Sequence, residues 1–400
     1  MIRINLADEC ELITKGTTPT TLGLQFEDFG IPFIRAQNLI DGTVSIETDA
    51  LYVSSETHAA LRRSQIKPDD LLISIAGTIG RAAIVPADAA PMNCNQAVAI
   101  VRPSNRINRR FLLHWLGTAD AERQMTKGKV TGTISNLSLE QIGKLEIPLP
   151  PLDEQRRIAA VLDKADALRR KRIQSLKLVD DLAQSIFFEM FETALANSLR
   201  VPLSAFVHEF RYGTSNKSDS YGYTTLRIPN VIGGGLDLSD LKLVPTEKSE
   251  LDRLRLQDGD ILFVRTNGNP DYVGRCAVFD SAELEKVGYD PSDWIFASYL
   301  IRARLDRSKI SPIYLREYLS TSEGRRALRE RSKTSAGQFN INTEGLASIT
   351  IPLPPIKEQL NFARRMASVD SIKKTHHDAL LRMKSAFASI QSSVFCGELT

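Results

Sequence analysis

A nine-residue cassette that occurs twice constrains this 400-residue chain more than any other feature. Residues 147–155 read Ile-Pro-Leu-Pro-Pro-Leu-Asp-Glu-Gln, and residues 351–359 read Ile-Pro-Leu-Pro-Pro-Ile-Lys-Glu-Gln, 204 positions later. Seven of the nine positions agree, with three prolines fixed, which chance does not readily produce. The match runs upstream at the same offset, pairing Asn136-Leu137 and Glu140 with Asn340-Ile341 and Glu344. Further back, Arg109-Arg110-Phe111-Leu112 through Leu116 resembles Ile313-Tyr314-Leu315 through Leu319, and Lys67-Pro68-Asp69-Asp70-Leu71-Leu72-Ile73 corresponds to Gln257-Asp258-Gly259-Asp260-Ile261-Leu262-Phe263. Near the front, Arg35 and Asn38 match Arg227 and Asn230 at an offset of 192, so the second copy carries insertions in its middle loops. A shared frame with diverging loops is what two copies of one fold facing different targets would show.

Each copy opens with short runs of strand character bounded by Gly, Pro, Asn or Asp. These are Leu71–Ile75, Ala82–Val85 and Ala97–Val101 in the first, and Ile261–Arg265, Ala277–Phe279 and Tyr299–Ala303 in the second. A helix is expected over Asn108–Thr118 and again over Pro312–Thr321, followed by a basic stretch and the proline cassette. The order implies a mixed α/β domain of about 150 residues, a common domain size.

After Pro151 and Pro355, neither Pro nor Gly interrupts residues 152–200 or 356–396, and both segments start with the polar turn of a helix. Apolar residues recur at spacings of four and three. The first series is Ile158, Leu162, Ala165, Leu176, Val179, Ala183, Ile186 and Met190; the second is Phe362, Met366, Val369, Leu380, Met383, Phe387, Ile390 and Val394. Each pair is 204 apart, and the series break together, at Arg169 and Arg172 and at Lys373 and His376. Such spacing argues for an antiparallel coiled coil between the two segments, with the polar breaks fixing register. Forty residues of helix span about 60 Å at about 1.5 Å per residue. The alternative is that each helix packs only on its own domain.

This pattern of domain, long helix, domain, long helix resembles the specificity subunits of type I restriction–modification enzymes, over essentially the whole chain. The resemblance divides the chain into recognition domains at 1–150 and 199–354 and helical spacers at 151–198 and 355–400, related by a pseudo-two-fold repeat. It implies that each domain reads one half of a split DNA target, and that the helices set the spacing and dock modification subunits, two being expected. Those partners would carry S-adenosylmethionine and methylate adenine. Restriction subunits with ATP and Mg would join them, and no cofactor is expected on this chain.

Motifs of chemistry are missing. There is no P-loop, Gly233-Gly234-Gly235 is a turn, and Asp290-Pro291-Ser292-Asp293-Trp294 lacks the second proline of an adenine methyltransferase loop. Adjacent His376 and His377 would point to different faces of a helix. Cys10, Cys94, Cys276 and Cys396 are scattered, without metal spacing, as suits a reducing cytoplasm. The charged N-terminal segment does not suit a secretory leader, and no apolar run is long enough to cross a bilayer.

With 51 Lys+Arg against 48 Asp+Glu, net charge does not announce a nucleic-acid binder, so the case rests on local patches. The second copy clusters Arg302, Arg304, Arg307, Lys309, Arg316, Arg325, Arg326, Arg329, Arg331 and Lys333, then continues to Gln338. The first has Arg106, Arg109, Arg110, Arg123, Lys127 and Lys129, then Thr131 and Thr133. Recurrence at one place in both copies suggests phosphate contacts, against the plainer reading of a solvated basic helix. Arg265, Asn267 and Asn269 fall in an inserted loop, where Arg suits guanine and Asn suits adenine. Arg81 and Arg275 close the equivalent loops and join the candidates. Arg35 and Arg227 recur and are expected to serve the frame or contact the DNA backbone. The competing function is a protein-interaction scaffold.

Overall fold

The computed structural model describes residues 2–47, 49–127, 136–335 and 337–396, apart from the side chains of Ser335 and Cys396. Two compact units emerge, one formed by 1–173 with 378–400 and the other by 174–377.

In the first unit, a six-stranded sheet runs in the order Cys10–Lys15, Val98–Pro103, Leu71–Ser74, Ala82–Ile84, Gly42–Val44, Leu39–Ile40. A four-stranded sheet is ordered Leu51–Val53, Ile31–Ile34, Met92–Cys94, Gln65–Ile66. The second unit keeps the central frame, with Val207–Tyr212, Leu300–Leu305, Ile261–Val264 and Cys276–Val278 in one sheet. Lys242–Val244, Tyr223–Leu226 and Trp294–Phe296 form another. Leu71–Ser74 and Ile261–Val264 are buried at every residue, which explains why they read as continuous apolar runs without alternation.

The cassettes end each domain in the same way. Glu146–Pro148 pairs antiparallel with Arg3–Asn5, and Thr350–Pro352 pairs with Arg200–Pro202. Proline fits these two-stranded edges because its missing N–H is not needed for a further neighbour. The next residues launch two long helices, Leu152–Asn197 and Ile356–Cys396.

Each unit contains part of both helices. In the second, Phe187 and Phe191 meet Phe362 at ring-centroid distances of 5.5 and 5.4 Å, and Lys373 Nζ lies 2.7 Å from Asp180. In the first, the Arg169 guanidinium sits 5.7 Å from the Phe387 ring centroid. Residue numbers rise on one helix as they fall on the other, so the pairing is antiparallel. The polar breaks are used: Arg169 bonds Asp166 and covers Phe387, and Lys373 pairs across the helices.

The spaced positions are covered, but the seam is not a helix pair alone. Ile158 and Leu162 join the first unit's core with Phe111 and Trp115, and Phe387 and Ile390 pack against that same core. Met366 and Val369 join Tyr314 and Tyr318 in the second, with Val179 and Ile186 against them. Leu380 is buried, while Leu176 and Met383 are half-buried. Phe187 and Phe191, fully buried, fall outside the spaced series and were not expected. Thus the simple choice between helix pairing and packing on the parent domain is replaced by both, because each helix has an apolar arc wider than a two-position stripe.

Candidate nucleic-acid interface

A buried ion pair fixes the strand that carries the variable loop in each unit. Asp70 accepts from Arg102 Nε and Nη2 at 2.7 and 2.8 Å, and Asp260 accepts from Arg304 in the same two-bond way at 3.0 and 2.8 Å. Each carboxylate also accepts a backbone N–H three residues earlier, from Lys67 at 2.7 Å and Gln257 at 2.9 Å. The strands then run into loops that close on Gly80 and Gly274, both with positive φ. A side chain at Gly274 would lie 2.6 Å from Leu328, so the close approach as well as the backbone demands glycine. The far side is tied equivalently: Leu137 N–H donates to Ile75 O, and Ile341 N–H donates to Arg265 O, both at 2.9 Å. One rigid mount therefore presents two different loops.

Arg35 and Arg227 form a second repeated frame. Asn38 and Asn230 accept the backbone N–H of these arginines at 2.9 and 2.8 Å and donate to Ser45 O and Asp237 O. The guanidinium groups pair with Asp49 and Asp240, each at 2.7 Å. Hydrogen bonds from Gln37 and then Arg35 hold the Asp49 carboxyl below its ordinary range, and Arg227 with Lys242 does so for Asp240. Their observed partners are framework groups, one of the two roles expected from their recurrence.

In the second unit, strand pairing assembles groups far apart in sequence. Thr266–Asn267 pairs with Gln338–Asn340, which pairs with Lys333–Ser335. Thr266 Oγ1 donates to Gln338 Oε1 at 2.9 Å. Arg265 lies over Tyr212, 4.8 Å from the ring centroid, and Arg275 lies over Tyr272 at the same distance. Tyr299 beside this strand is 60% exposed. The aromatic partners were not legible in the sequence, since no spacing marks them.

The basic helix Ser322–Glu330 meets the loop around Asp271. Arg329 pairs with the Asp271 carboxylate at 3.0 Å, whereas Arg325 and Arg275 both donate to its backbone oxygen at 3.0 Å. Burial, followed by the neighbouring Arg275 and Arg329 charges, pulls the Arg325 guanidinium below its usual range. Three cations here face one acidic side chain, which leaves positive charge for an anionic ligand. Arg326 and Lys333 are exposed, and exposed Arg331 donates to Ser348 Oγ.

The remaining candidates divide. Arg302 is 1% exposed and Arg316 is buried against Glu317, while Arg304 belongs to the buried pin. The expected basic stretch is therefore shorter than its sequence suggests, because both faces of the strand Leu300–Leu305 are covered and its arginines are enclosed with them. In the first unit Arg106, Arg110 and Arg123 pair with Glu9, Asp163 and Asp120. Arg81 and Lys127 are exposed. Lys129, Thr131 and Thr133 lie outside the described residues. In the second-unit loop Asn267 is half-buried and Asn269 exposed, but both side-chain oxygens already accept backbone N–H groups at 2.9 Å. Each of these oxygens keeps a second lone pair, and the amide N–H groups make no bond to their own turn.

Burial pushes the Cys276 thiol up to about 12, away from nucleophile behaviour. No group of three or more metal-ligating side chains occurs among the described residues. Among those residues, no helix is long and apolar enough to cross a membrane.

The family model for the type I restriction modification DNA specificity domain matches residues 3–178 and 211–382, one match per copy of the repeat. The chain is 28% identical to the EcoKI specificity subunit of Escherichia coli K12 over 401 residues, covering 94% of this chain and 83% of that subunit. It is 27% identical to the StySPI specificity subunit of Salmonella potsdam, with the same coverage. In fold, it is similar to a type I restriction–modification S subunit from M. genitalium, with a TM-score of 0.54 and 13% identity over 98% of this chain and 96% of that one.

Proposed function

The chain belongs to the type I restriction modification DNA specificity family, and from that premise we propose that it is a non-catalytic reader of a two-part DNA target. Each unit reads one half. The carrying observation is the repeated mount, in which identical Asp–Arg pins hold unlike loops: Asp70–Arg102 beneath Ile75–Gly80, and Asp260–Arg304 beneath Arg265–Gly274. Rigid support of divergent polar loops suits sequence discrimination, and the cations around Asp271 suit phosphate positioning. Family membership disfavours a scaffold that binds proteins alone.

The paired helices set the distance between half-sites and offer the docking surface for modification subunits, two per chain, with restriction subunits joining the assembly in the cytoplasm. S-adenosylmethionine, ATP and Mg belong to those partners. Coexpression with the modification subunits, followed by mapping of methylated adenine, tests this reading. The expected result is a split motif, and exchange of residues 199–354 for those of a relative should change one half only. Methylation without a split motif, or a change in both halves, would overturn it.

A further inference from the structure

The second unit's loop places an arginine, stacked on Tyr212, beside two asparagines tied into their own turn. Asn267 Oδ1 accepts the Asn269 N–H, and Asn269 Oδ1 accepts the Asp271 N–H, each at 2.9 Å. Both asparagine oxygens give one lone pair to their own turn, which fixes the side chains and leaves their amide N–H donors for a ligand. Arg265 has donors only. Its guanidinium is held over the Tyr212 ring at 4.8 Å and gives one Nη1–H to Ser298 O at 3.2 Å. Tyr212 is itself tethered, its hydroxyl accepting the Thr343 N–H at 3.3 Å. Stack and hydrogen bond together define the plane of the arginine fork before any ligand arrives.

A base read by Arg265 through the major groove must complement its donor-only fork. Adenine offers one donor and one acceptor there, whereas guanine offers two neighbouring acceptors, N7 and O6. We propose that Arg265 reads a guanine in the half-site of the second unit, with the Asn267 and Asn269 amides donating to adjacent acceptors. Tyr212 is the positioning residue for Arg265. The first unit's counterpart, Ile75-Ala76-Gly77-Thr78-Ile79, carries no arginine or amide before Arg81, so the half-sites differ in chemistry at this mount. The inference rests on the reading of the chain as a DNA specificity protein.

Adenine methylation mapped genome-wide, with variants assembled into the full modification complex, tests it. The wild type should give a split motif with a defined G·C pair that Arg265→Ala makes degenerate, losing tenfold to a hundredfold discrimination, roughly the value of one bidentate contact. The other half of the motif should stay unchanged. Arg265→Lys keeps the charge without the fork and should relax the same pair, standing in if the alanine variant misfolds. Tyr212→Phe should preserve the preference and Tyr212→Leu weaken it. If the relaxed pair is A·T, or if neither Arg265 variant relaxes any position, the guanine inference falls while the split motif still supports DNA reading. Absence of a split motif in the wild type would overturn both.

Discussion

Gln155 Oε1 accepts the backbone N–H of Asn108 at 2.8 Å, joining the proline cassette to the cap of the helix Arg109–Leu116. Its Nε2 donates to Pro150 O at 2.9 Å. In the repeat, Gln359 accepts from the N–H of Ser311, the cap of Pro312–Ser320, at 2.9 Å and donates to Pro354 O at 2.8 Å. Both glutamines are essentially inaccessible to solvent. The cassette thus ends in Gln because a buried donor and a buried acceptor must be satisfied by one side chain. Gln155→Ala and Gln359→Ala should each lower stability by about 1–3 kcal/mol in urea unfolding. Glu154→Gln, at an exposed ion pair with Arg157, should leave the curve nearly unchanged. Wild-type stability in both alanine variants would remove this account of the cassette.

The two Asp–Arg pins should differ in strength. Asp260 supports Arg304 and lies 3.9 Å from Nε of Arg302, whose burial pulls its guanidinium below the usual range. Asp260→Asn should cost about 3–5 kcal/mol, because it takes the carboxylate from Arg304 and leaves the enclosed Arg302 with Glu209 as its one acidic partner among the described residues. Asp70→Asn should cost less: Arg102 and Arg304 are similarly exposed, at 20% and 26%, but only Asp260 also faces an enclosed second cation, Arg302. Thermal unfolding of the two variants side by side checks the order.

Electrostatic contacts should be visible as a salt slope. Replacing Arg329 by alanine should reduce the slope of log affinity against log salt by about 0.9 if it neutralises one phosphate. The loss should be equal on cognate and random duplexes. Asp271→Asn should act oppositely, raising affinity for any duplex by removing the acidic partner of Arg329. Unequal losses for Arg329→Ala would instead mark it as a base reader.

Acid should weaken the first unit through His114. Burial lowers the ring's affinity for a proton, outweighing the Asp163 carboxylate 2.7 Å from Nε2. The unfolded side chain takes up its proton near pH 6.5, while the folded one holds out to lower pH. Unfolding therefore binds a proton in that window, and stability present above pH 6.5 is lost as pH falls towards the folded value. His114→Gln should flatten the fall that sets in below about pH 6.5, as read by unfolding at each pH.

Seven residues added to Leu176–Met190, with a matching heptad in the second helix, should lengthen the preferred spacer in the DNA target. A heptad keeps the apolar face in phase and adds about 10 Å at about 1.5 Å per residue. Binding across a spacer series with an unchanged optimum would remove the helices from the measuring role.

The sequence by itself determined the repeat, the buried strands, the two long helices and the family, because each is written as a local pattern: a cassette, an apolar run or a spacing of three and four. Arg35 and Arg227 could also be placed in a shared frame, since recurrence with Asn38 and Asn230 travels along the chain. Tertiary structure alone decided which cations remain available. Arg302 and Arg329 are both arginines of the same basic stretch, yet one is enclosed near Asp260 and the other stands half-exposed beside Asp271. It also decided that Tyr212 orients Arg265 and that Gln155 accepts the N–H of Asn108, pairings 53 and 47 positions apart. Charge and hydrogen-bonding capacity are properties of residues, but whether they are spent is set by neighbours that only the folded chain supplies.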